Sequence, residues 1–584
     1  MQWVRREVGV EPIRERRWNI VLHDAERVAE LARECAVSPL VAVLLANRGI
    51  DTADHARRFL SPVLADLHDP FLMHDMGKAA DRLRDAVLAN ETICVYGDYD
   101  ADGVTSIAVV TGFLREIGAD CFYHVPNRLE EGYGLSRSGV SSAAEKGARV
   151  IVTADCGITA FAEAELCRAL GIDLIITDHH TPAEGLPSAC AVVNPMRGDC
   201  PFPCTSLAGV GVAFNLLIAL RGRLRNAGFF ANRREPDLRD YLDLVALGTI
   251  ADIVPLADEN RVLVSSGLCR LSTADRVGIR ALKKVAGIAD DVDSVAVGFR
   301  LAPRLNAAGR LDDASVAVEL LLTDDRERAD VLAAQLNAAN EERQALEQEI
   351  LNDALRMVTT DTSLHGRKSI VLASESWHSG VIGIVASRIV ELYHRPTILI
   401  ALQDGNGKGS GRSIPGFHLH DALRACSEHL IRFGGHKYAA GLTIDEETLE
   451  EFAERFDEVA AGLLSEEDLL PEIRIDAELA PDDISLAVAE QVASLEPFGS
   501  GNPRPVFLLR RAKVMEKSVL KGRHVRLRLA VGVTYLEAMG FSMAGRIPDG
   551  EYLDVVFTLE VNAWNGRKCV RLRLKDAGKP EIAV

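Results

Sequence analysis

The sequence predicts an α/β protein built from two α/β lobes joined by a long helix and followed by a C-terminal β-barrel. Three observations carry that reading. Short Val- and Ile-rich strands alternate with helical stretches between residues 71 and 265. Asp324 to Met357 is an unbroken helix-forming run without Gly or Pro. Beyond about residue 469 the pattern becomes that of alternating strands, as in Val525-Arg-Leu-Arg-Leu529.

At 584 residues the chain is too long for one core and should divide into about three or four domains. No apolar run is long enough to span a bilayer: the nearest, Ala208 to Leu220, is short and interrupted by Asn215. Met1-Gln-Trp-Val-Arg-Arg-Glu7 has no apolar signal core, so the expected location is cytoplasmic. Eleven cysteines without a paired framework fit that reducing compartment. Cys200 and Cys204 form one isolated close pair, a weak zinc signal, and the others read as packing residues. A net charge of -19 argues against nonspecific coating of nucleic acid, while leaving room for a local basic groove.

Taken in order, residues 1–70 read as a helical and irregular segment with a short amphipathic helix in Ser38–Asn47. Residues 71–265 read as a catalytic domain with a parallel sheet covered on both faces, a layout that gathers ligands at the carboxyl ends of its strands. Residues 266–365 are a helical region ending in the long connecting helix, capped by Thr323 or Asp324. The second α/β lobe occupies 366–446 and holds the glycine-rich pieces Gly409-Ser-Gly-Arg-Ser413, expected as a turn with exposed N–H groups, and Phe433-Gly-Gly-His436. A helical, acidic linker follows at 447–468.

Residues 469–584 are β-rich and locally basic, with Arg510, Arg511, Lys513, Lys517, Lys521, Arg523, Arg526, Arg528, Arg567, Lys568, Arg571 and Arg573. Alternate strand positions share a face, so alternating Arg and Leu place cations on one side and a core on the other. Asn565-Gly566 is a hairpin signal. A five-stranded barrel of the OB type fits, and such barrels bind single strands.

The chemistry concentrates at strand ends. Val95-Tyr-Gly-Asp98-Tyr-Asp100-Ala-Asp102-Gly103 brings three carboxylates to alternate positions after an apolar strand, which calls for a bound cation. Arg149–Asp155 and Ile172–Asp178-His179-His180 repeat the design, and Asp252 after Leu247-Gly-Thr-Ile-Ala is read as a fourth such terminus. The EF-hand alternative fails on spacing, because loop position twelve from Asp98 is Val109 rather than Glu and the preceding element is a strand. Singly, each Asp reads as the N-cap of a following helix, Asp102 especially; jointly, Asp and His point to Mg, Mn or a transition metal.

These motifs resemble the DHH phosphoesterase superfamily and, within it, the RecJ family of single-stranded-DNA exonucleases, over nearly the whole chain. The resemblance rests on Asp98–Gly103, Thr153–Gly157, Asp178-His179-His180 and Gly248–Pro255, and on Val125–Gly134, Ser206–Phe214 and Pro303–Asp312. Trp377–Ile384 and Gly434–Gly441 resemble the DHHA1 domain that accompanies this fold. It implies two Mn2+ or Mg2+ ions. One would be held by Asp98 and Asp155, with ligation by Asp102 left open, and the other by Asp100, Asp155, His179 and Asp252, with Asp155 bridging them roughly 3.5–4 Å apart. Asp100, Asp155, His179 and His180 would be the catalytic set, with His180 at the scissile phosphate. Cys94 stands where many small-molecule members carry a His, which implies fewer ligands for the first ion.

By the same resemblance Ser410 and Arg412 would hold a 5′-terminal phosphate in a groove between the lobes, with Arg128, Arg304 and Arg310 assisting and His436 near the scissile group. The implied activity is 5′-to-3′ hydrolysis of single-stranded DNA to mononucleotides in DNA repair and recombination. The expected protein is a monomer away from membranes, with a single-strand-binding protein and a helicase as candidate partners. The alternatives are a DHH phosphodiesterase of short oligonucleotides or cyclic dinucleotides, and a catalytically silent DNA-binding scaffold. The basic C-terminal unit weighs against the first and the intact Asp and His set against the second.

Overall fold

The computed structural model describes residues 15–127, 131–132, 134–311, 313–364, 366–532, 534–564 and 567–580. The chain divides into two units, Leu22–Asn340 with Asp476–Val584, and Met1–Val21 with Glu341–Ile475. Among the described residues no helix is long and apolar enough to cross a membrane.

The first unit contains a five-stranded parallel sheet in the order Cys121–His124, Ile93–Gly97, Val150–Ala154, Asp173–Thr177, Ala191–Val193. Every residue of Ile93–Gly97 and Val150–Ala154 is buried, which explains continuous apolar runs in place of alternation. Val95, Val152 and Ile175 face one core with the helices Met76–Ala89, Ala101–Glu116 and Gly209–Asn226. Cys94, Tyr96 and Ile176 face another with Arg137–Glu145 and Phe161–Leu170. Burial pushes the Cys94 thiol up to about 12, which suits a packing residue and not a metal ligand.

The same unit carries a closed five-stranded barrel. Phe507–Leu520, His524–Val531, Thr534–Gly540, Arg567–Gly578 and Tyr552–Trp564 follow one another, and the last pairs back with the first. Leu527 and Leu529 are fully buried inside while Arg528 is exposed, as the alternation requires. The expected Asn565-Gly566 turn lies outside the described residues. The helix Pro39–Ala46 is not amphipathic as expected: Val41 through Leu45 are all buried, because it packs into the core that the barrel uses. Arg261, only 1% exposed, lies over the Phe59 ring and donates to the carbonyls of Phe59, Leu495 and Glu496, tying the N-terminal helices to the approach to the barrel.

The second unit has a mixed sheet ordered Arg432–Gly435, Ala439–Asp445, Asn406–Arg412, Thr397–Gln403, Ile370–Ser374. Residues 409–412, expected as a turn with exposed N–H groups, form a strand paired on both edges, Gly411 lying opposite Ile398 and Ala440. Close packing is the reason for glycine there: a Cβ on Gly409 would sit 2.6 Å from the Leu442 side chain. Residues 447–468, expected as a linker, contain the helix Leu449–Leu463, whose Phe452 and Phe456 are buried in that unit's core. The long helix runs Arg326–Thr360, later than expected at both ends. Its cap is Asp325, which accepts from the N–H groups of Glu327 and Arg328 at 2.9 and 3.2 Å, while Thr323 is extended and ends the preceding helix.

Candidate metal centre

Asp98 and Asp100 follow the carboxyl end of Ile93–Gly97, Asp155 follows Val150–Ala154, and His179 lies just beyond Asp173–Thr177. Asp252, expected at a strand end, instead terminates the helix Leu242–Ala251. That run is buried almost throughout, so its apolar sequence carries neither strand nor helix periodicity. The capping role expected of Asp102 falls to Asp100, whose Oδ1 accepts from the N–H groups of Asp102 and Gly103, both at 3.0 Å. Asp102 is buried in the first turn and accepts from the N–H of Gly209 at 2.7 Å and of Val210 at 2.9 Å.

The backbone is built tightly around these groups. Asp155 holds a left-handed φ of 66°, uncommon for a residue with a side chain and a mark of functional sites. A Cβ on Gly209 would fall 2.4 Å from Asp155 Oδ1, and one on Gly248 would fall 2.9 Å from Asp102 Oδ1. Glycine at both positions lets two helices touch the carboxylates.

Three sets of ligand atoms lie within 4.8 Å of one another: Asp98, Asp100 and Asp155; Asp102, His179 and Asp252; and Asp155, His179 and His180. In these groupings Asp100 lies with Asp98 and Asp155, and Asp102 lies with His179 and Asp252. His179 Nε2 is 3.1 Å from Asp155 Oδ1, 3.6 Å from Asp252 Oδ2 and 4.0 Å from Asp102 Oδ2. Asp155 Oδ1 and His179 Nε2 are buried, yet neither makes a hydrogen bond among the described residues, a state that costs free energy unless a cation binds.

The electrostatics agree. Burial, then the charges of Asp102 and Asp100, holds Asp155 well above the ordinary carboxylate range. The same causes push Asp252 up to about 8. Burial and Asp100 push Asp102 up to about 7 despite its two backbone donors. Burial, then the neighbouring His180, lowers His179 to about 4. Carboxylates packed this closely cannot all ionise without positive charge between them, and a divalent cation reverses the balance. An oxygen-rich set with imidazole suits Mn2+ or Mg2+.

His180 differs from its neighbour. Burial opposes its charge, but the hydrogen bond from Nδ1 to Asp178 Oδ1 at 2.7 Å and the Asp178 charge outweigh that and raise it to about 9. Asp178 also accepts from the N–H of Ile158 at 2.9 Å and, although buried, is held below the usual carboxylate range by His180 and these amides. Asp178 thus orients an imidazole and belongs to none of the three ligand sets.

Family models match in three places: the DHH family, N-terminal domain, at residues 92–249, the DHHA1 domain at 366–462 and the RecJ OB domain at 475–576. The single-stranded-DNA-specific exonuclease RecJ of Bacillus subtilis (strain 168) is 40% identical over 97% of this chain and 71% of its own. The chain belongs to the RecJ family. Two solved RecJ structures from Thermus thermophilus are similar throughout. The complex with Mn2+ has a TM-score of 0.83 at 35% identity, over 97% of this chain and 80% of that one. The complex with Mg2+ has a TM-score of 0.78 at 34% identity, over 97% and 79%.

The other residues expected of a RecJ-family protein are distributed as follows. In the second unit Arg412 Nη1 donates to Ser410 Oγ at 3.1 Å and to the Gly411 carbonyl at 2.7 Å. Among the described residues no carboxylate pairs with Arg412, and burial lowers its pKa, the signature of a guanidinium lacking a counter-charge. A Cβ on Gly383 would lie 2.8 Å from Ser410 Oγ and 3.0 Å from Arg412 Nη2, so glycine there makes room for the pair. His436 is exposed between Arg432–Gly435 and Ala439–Asp445. In the first unit Arg304 Nε donates to Asn337 Oδ1 at 3.0 Å, and its Nη1 to the Arg300 carbonyl. Arg310 lies on the helix Ala302–Leu311. Arg128 lies outside the described residues.

Among the described residues the barrel's cations are mostly paired with carboxylates. Arg510 meets Glu478 at 3.0 Å, Lys517 meets Asp549 at 2.7 Å and Arg573 meets Glu560 at 3.3 Å. Arg528 instead lies 4.7 Å over the ring of the exposed Tyr535. Sequence reasoning placed Asp178 among the strand-end ligands rather than behind His180, and gave no role to Gly209 or to Asn306, whose Oδ1 accepts the Ala101 N–H at 2.7 Å. All three fall inside the stretches that carry the family resemblance, but spacing alone does not say which residue reaches the carboxylate loop.

Proposed function

We propose that this chain is a metal-dependent exonuclease that hydrolyses single-stranded DNA from the 5′ end to mononucleotides, in DNA repair and recombination. The observation that carries the reading is the buried cluster of Asp98, Asp100, Asp102, Asp155, His179 and Asp252, with Asp155 Oδ1 and His179 Nε2 lacking hydrogen bonds. The names of the relatives support the substrate. The ligand sets suit two Mn2+ or Mg2+ ions with Asp155 shared, and such ions, when bound, lower the pKa of a water and stabilise charge at phosphorus.

The protein groups then divide the work. Asp178 keeps His180 protonated, so that its Nε2 can donate to a phosphate oxygen. Arg412, with Ser410, takes the 5′-terminal phosphate. Anchoring one end makes the enzyme an exonuclease. The barrel holds the strand by stacking and by phosphate charge. The domains are those bounded at about residues 70, 265, 365 and 468, with the helix Leu449–Leu463 belonging to the second lobe. The protein works as a cytoplasmic monomer with a single-strand-binding protein and a helicase.

The test is digestion of 5′-labelled, 3′-labelled and duplex DNA in Mn2+, Mg2+ or EDTA. Immediate release of 5′ label as mononucleotide, progressive shortening of 3′-labelled strands, and inert duplex and EDTA samples are expected. Internal cleavage, or equal loss of duplex, contradicts the reading.

A further inference from the structure

We infer that Asn306 is a positioning residue for the metal centre: its side-chain oxygen fixes the loop at residues 98–102, and thereby the directions of Asp100 and Asp102. The inference rests on the metal-centre reading above.

Ala101 opens the helix Ala101–Glu116, and N–H groups in a first helical turn have no partner within the helix. Asp100 accepts two of them, from Asp102 and Gly103, through one carboxylate oxygen, and its carbonyl accepts from Val104 at 2.8 Å. The Ala101 N–H goes to Asn306 Oδ1 at 2.7 Å, an acceptor 205 positions away in sequence. The helix cap is therefore completed by another helix, Ala302–Leu311.

The arrangement has a physical rationale. Asp100 both caps its helix and belongs to a ligand set, so any pull of an ion on its carboxylate also pulls on the cap. A loop in that position needs an anchor that is not itself a ligand. Gly309, three residues on, gives a second point of contact: a Cβ there would lie 2.6 Å from the Tyr99 carbonyl oxygen and 3.2 Å from Tyr99 Cβ. The helix thus presses on the loop at Tyr99 and Ala101, on both sides of Asp100.

The test uses the full-length protein, with Asn306→Ala, Asn306→Asp, Gly309→Ala and, as a control, Asp155→Ala. Mn2+ binding is titrated calorimetrically without DNA, and kcat and KM are measured separately on single strands. Asn306→Ala and Gly309→Ala should weaken Mn2+ binding and lower kcat by roughly 10-fold or more, as removal of an outer-shell support does, while KM stays within about twofold. Asn306→Asp keeps an acceptor for Ala101 and should recover most of kcat, which a merely structural role would not predict.

If Asn306→Ala and Gly309→Ala, both folded by thermal melting, bind Mn2+ and turn over like the parent while Asp155→Ala loses both properties, the inference fails and the metal reading stands. Equal impairment in Asn306→Ala and Asn306→Asp also overturns it, and this comparison serves if the alanine variant folds poorly. Retention of Mn2+ binding and activity by Asp155→Ala overturns the metal reading and the inference with it.

Discussion

His180 Nδ1 and Asp178 Oδ1 stand 2.7 Å apart, which commits Nδ1 to a carboxylate and assigns any substrate contact to Nε2. Asp178 raises the imidazole to about 9, so His180 is cationic below that pH and loses its charge as pH rises through it. Asp178→Asn removes the charge that holds this proton. It should lower kcat by roughly 10- to 100-fold and move the alkaline limb of the kcat/KM profile toward neutrality, with Mn2+ affinity little changed. A pH–rate profile with an unmoved alkaline limb would remove His180 from the role of cationic donor.

The raised carboxyl groups make a prediction about protons. Asp102 and Asp252, at about 7 and about 8, hold protons in the folded, ion-free protein at pH values where the unfolded chain, with carboxyls near 3.8, has lost them. The folded state then binds more protons, so this contribution to stability falls as pH rises from about 4 to about 8. Cations displace those protons. Calorimetry at pH 7 in two buffers of different ionisation enthalpy should show about one proton or more released on Mn2+ binding, with a larger Mn2+-induced rise in Tm at pH 8 than at pH 5.5. No release, with equal stabilisation at both pH values, would mean that the cluster is already ionised.

Arg412 has Ser410 and a carbonyl as partners rather than a carboxylate. A charge-assisted hydrogen bond to a terminal phosphate contributes ~1.5–3 kcal/mol, roughly tenfold to a hundredfold in rate or affinity. Arg412→Ala should therefore slow turnover of 5′-phosphorylated strands by that factor and leave 5′-hydroxyl strands much less affected. Arg412→Lys should recover only part, since it loses the fork. An unchanged ratio of initial rates on the two substrates would move the phosphate pocket elsewhere.

The barrel cannot be tested by deletion, because Leu44, Leu45 and Phe59 share a core with Phe507, Leu527 and Phe557. Removing it would expose the N-terminal helices. Tyr535→Ala should instead cost ~1–3 kcal/mol in affinity for long single strands, the usual loss of a stacked base, and Arg528→Ala should reduce the slope of log affinity against log salt by about one. Parent-like affinity and slope in both variants would assign the barrel face to another task.

Much of this was legible in the chain, and the failures share a cause. The parallel sheet and barrel show in runs whose period matches their burial, such as Val150–Ala154 and Val525–Leu529. Helices buried all round, Pro39–Ala46 and Leu242–Ala251, lose their period, so one was read as amphipathic and the other as a strand end. Glycines at 409 and 411 suggested a turn, yet they serve packing against Leu442 and Leu419 in a central strand. At the metal centre the strand-end carboxylates announced themselves. The long-range supports, Asn306 on Ala101 and Asp102 on Gly209, depend on tertiary contacts that no local pattern encodes.

Asp155 Oδ1 lies at the heart of the metal centre, buried and 3.1 Å from His179 Nε2. The most direct measurement compares the parent and Asp155→Ala, both shown to be folded, for Mn2+ binding and for release of mononucleotides from 5′-phosphorylated single strands. With Asp155 shared by the ions, Asp155→Ala loses hydrolysis and binds Mn2+ far more weakly, yet still binds single strands in EDTA. Hydrolysis by Asp155→Ala at close to the parent rate would contradict that role.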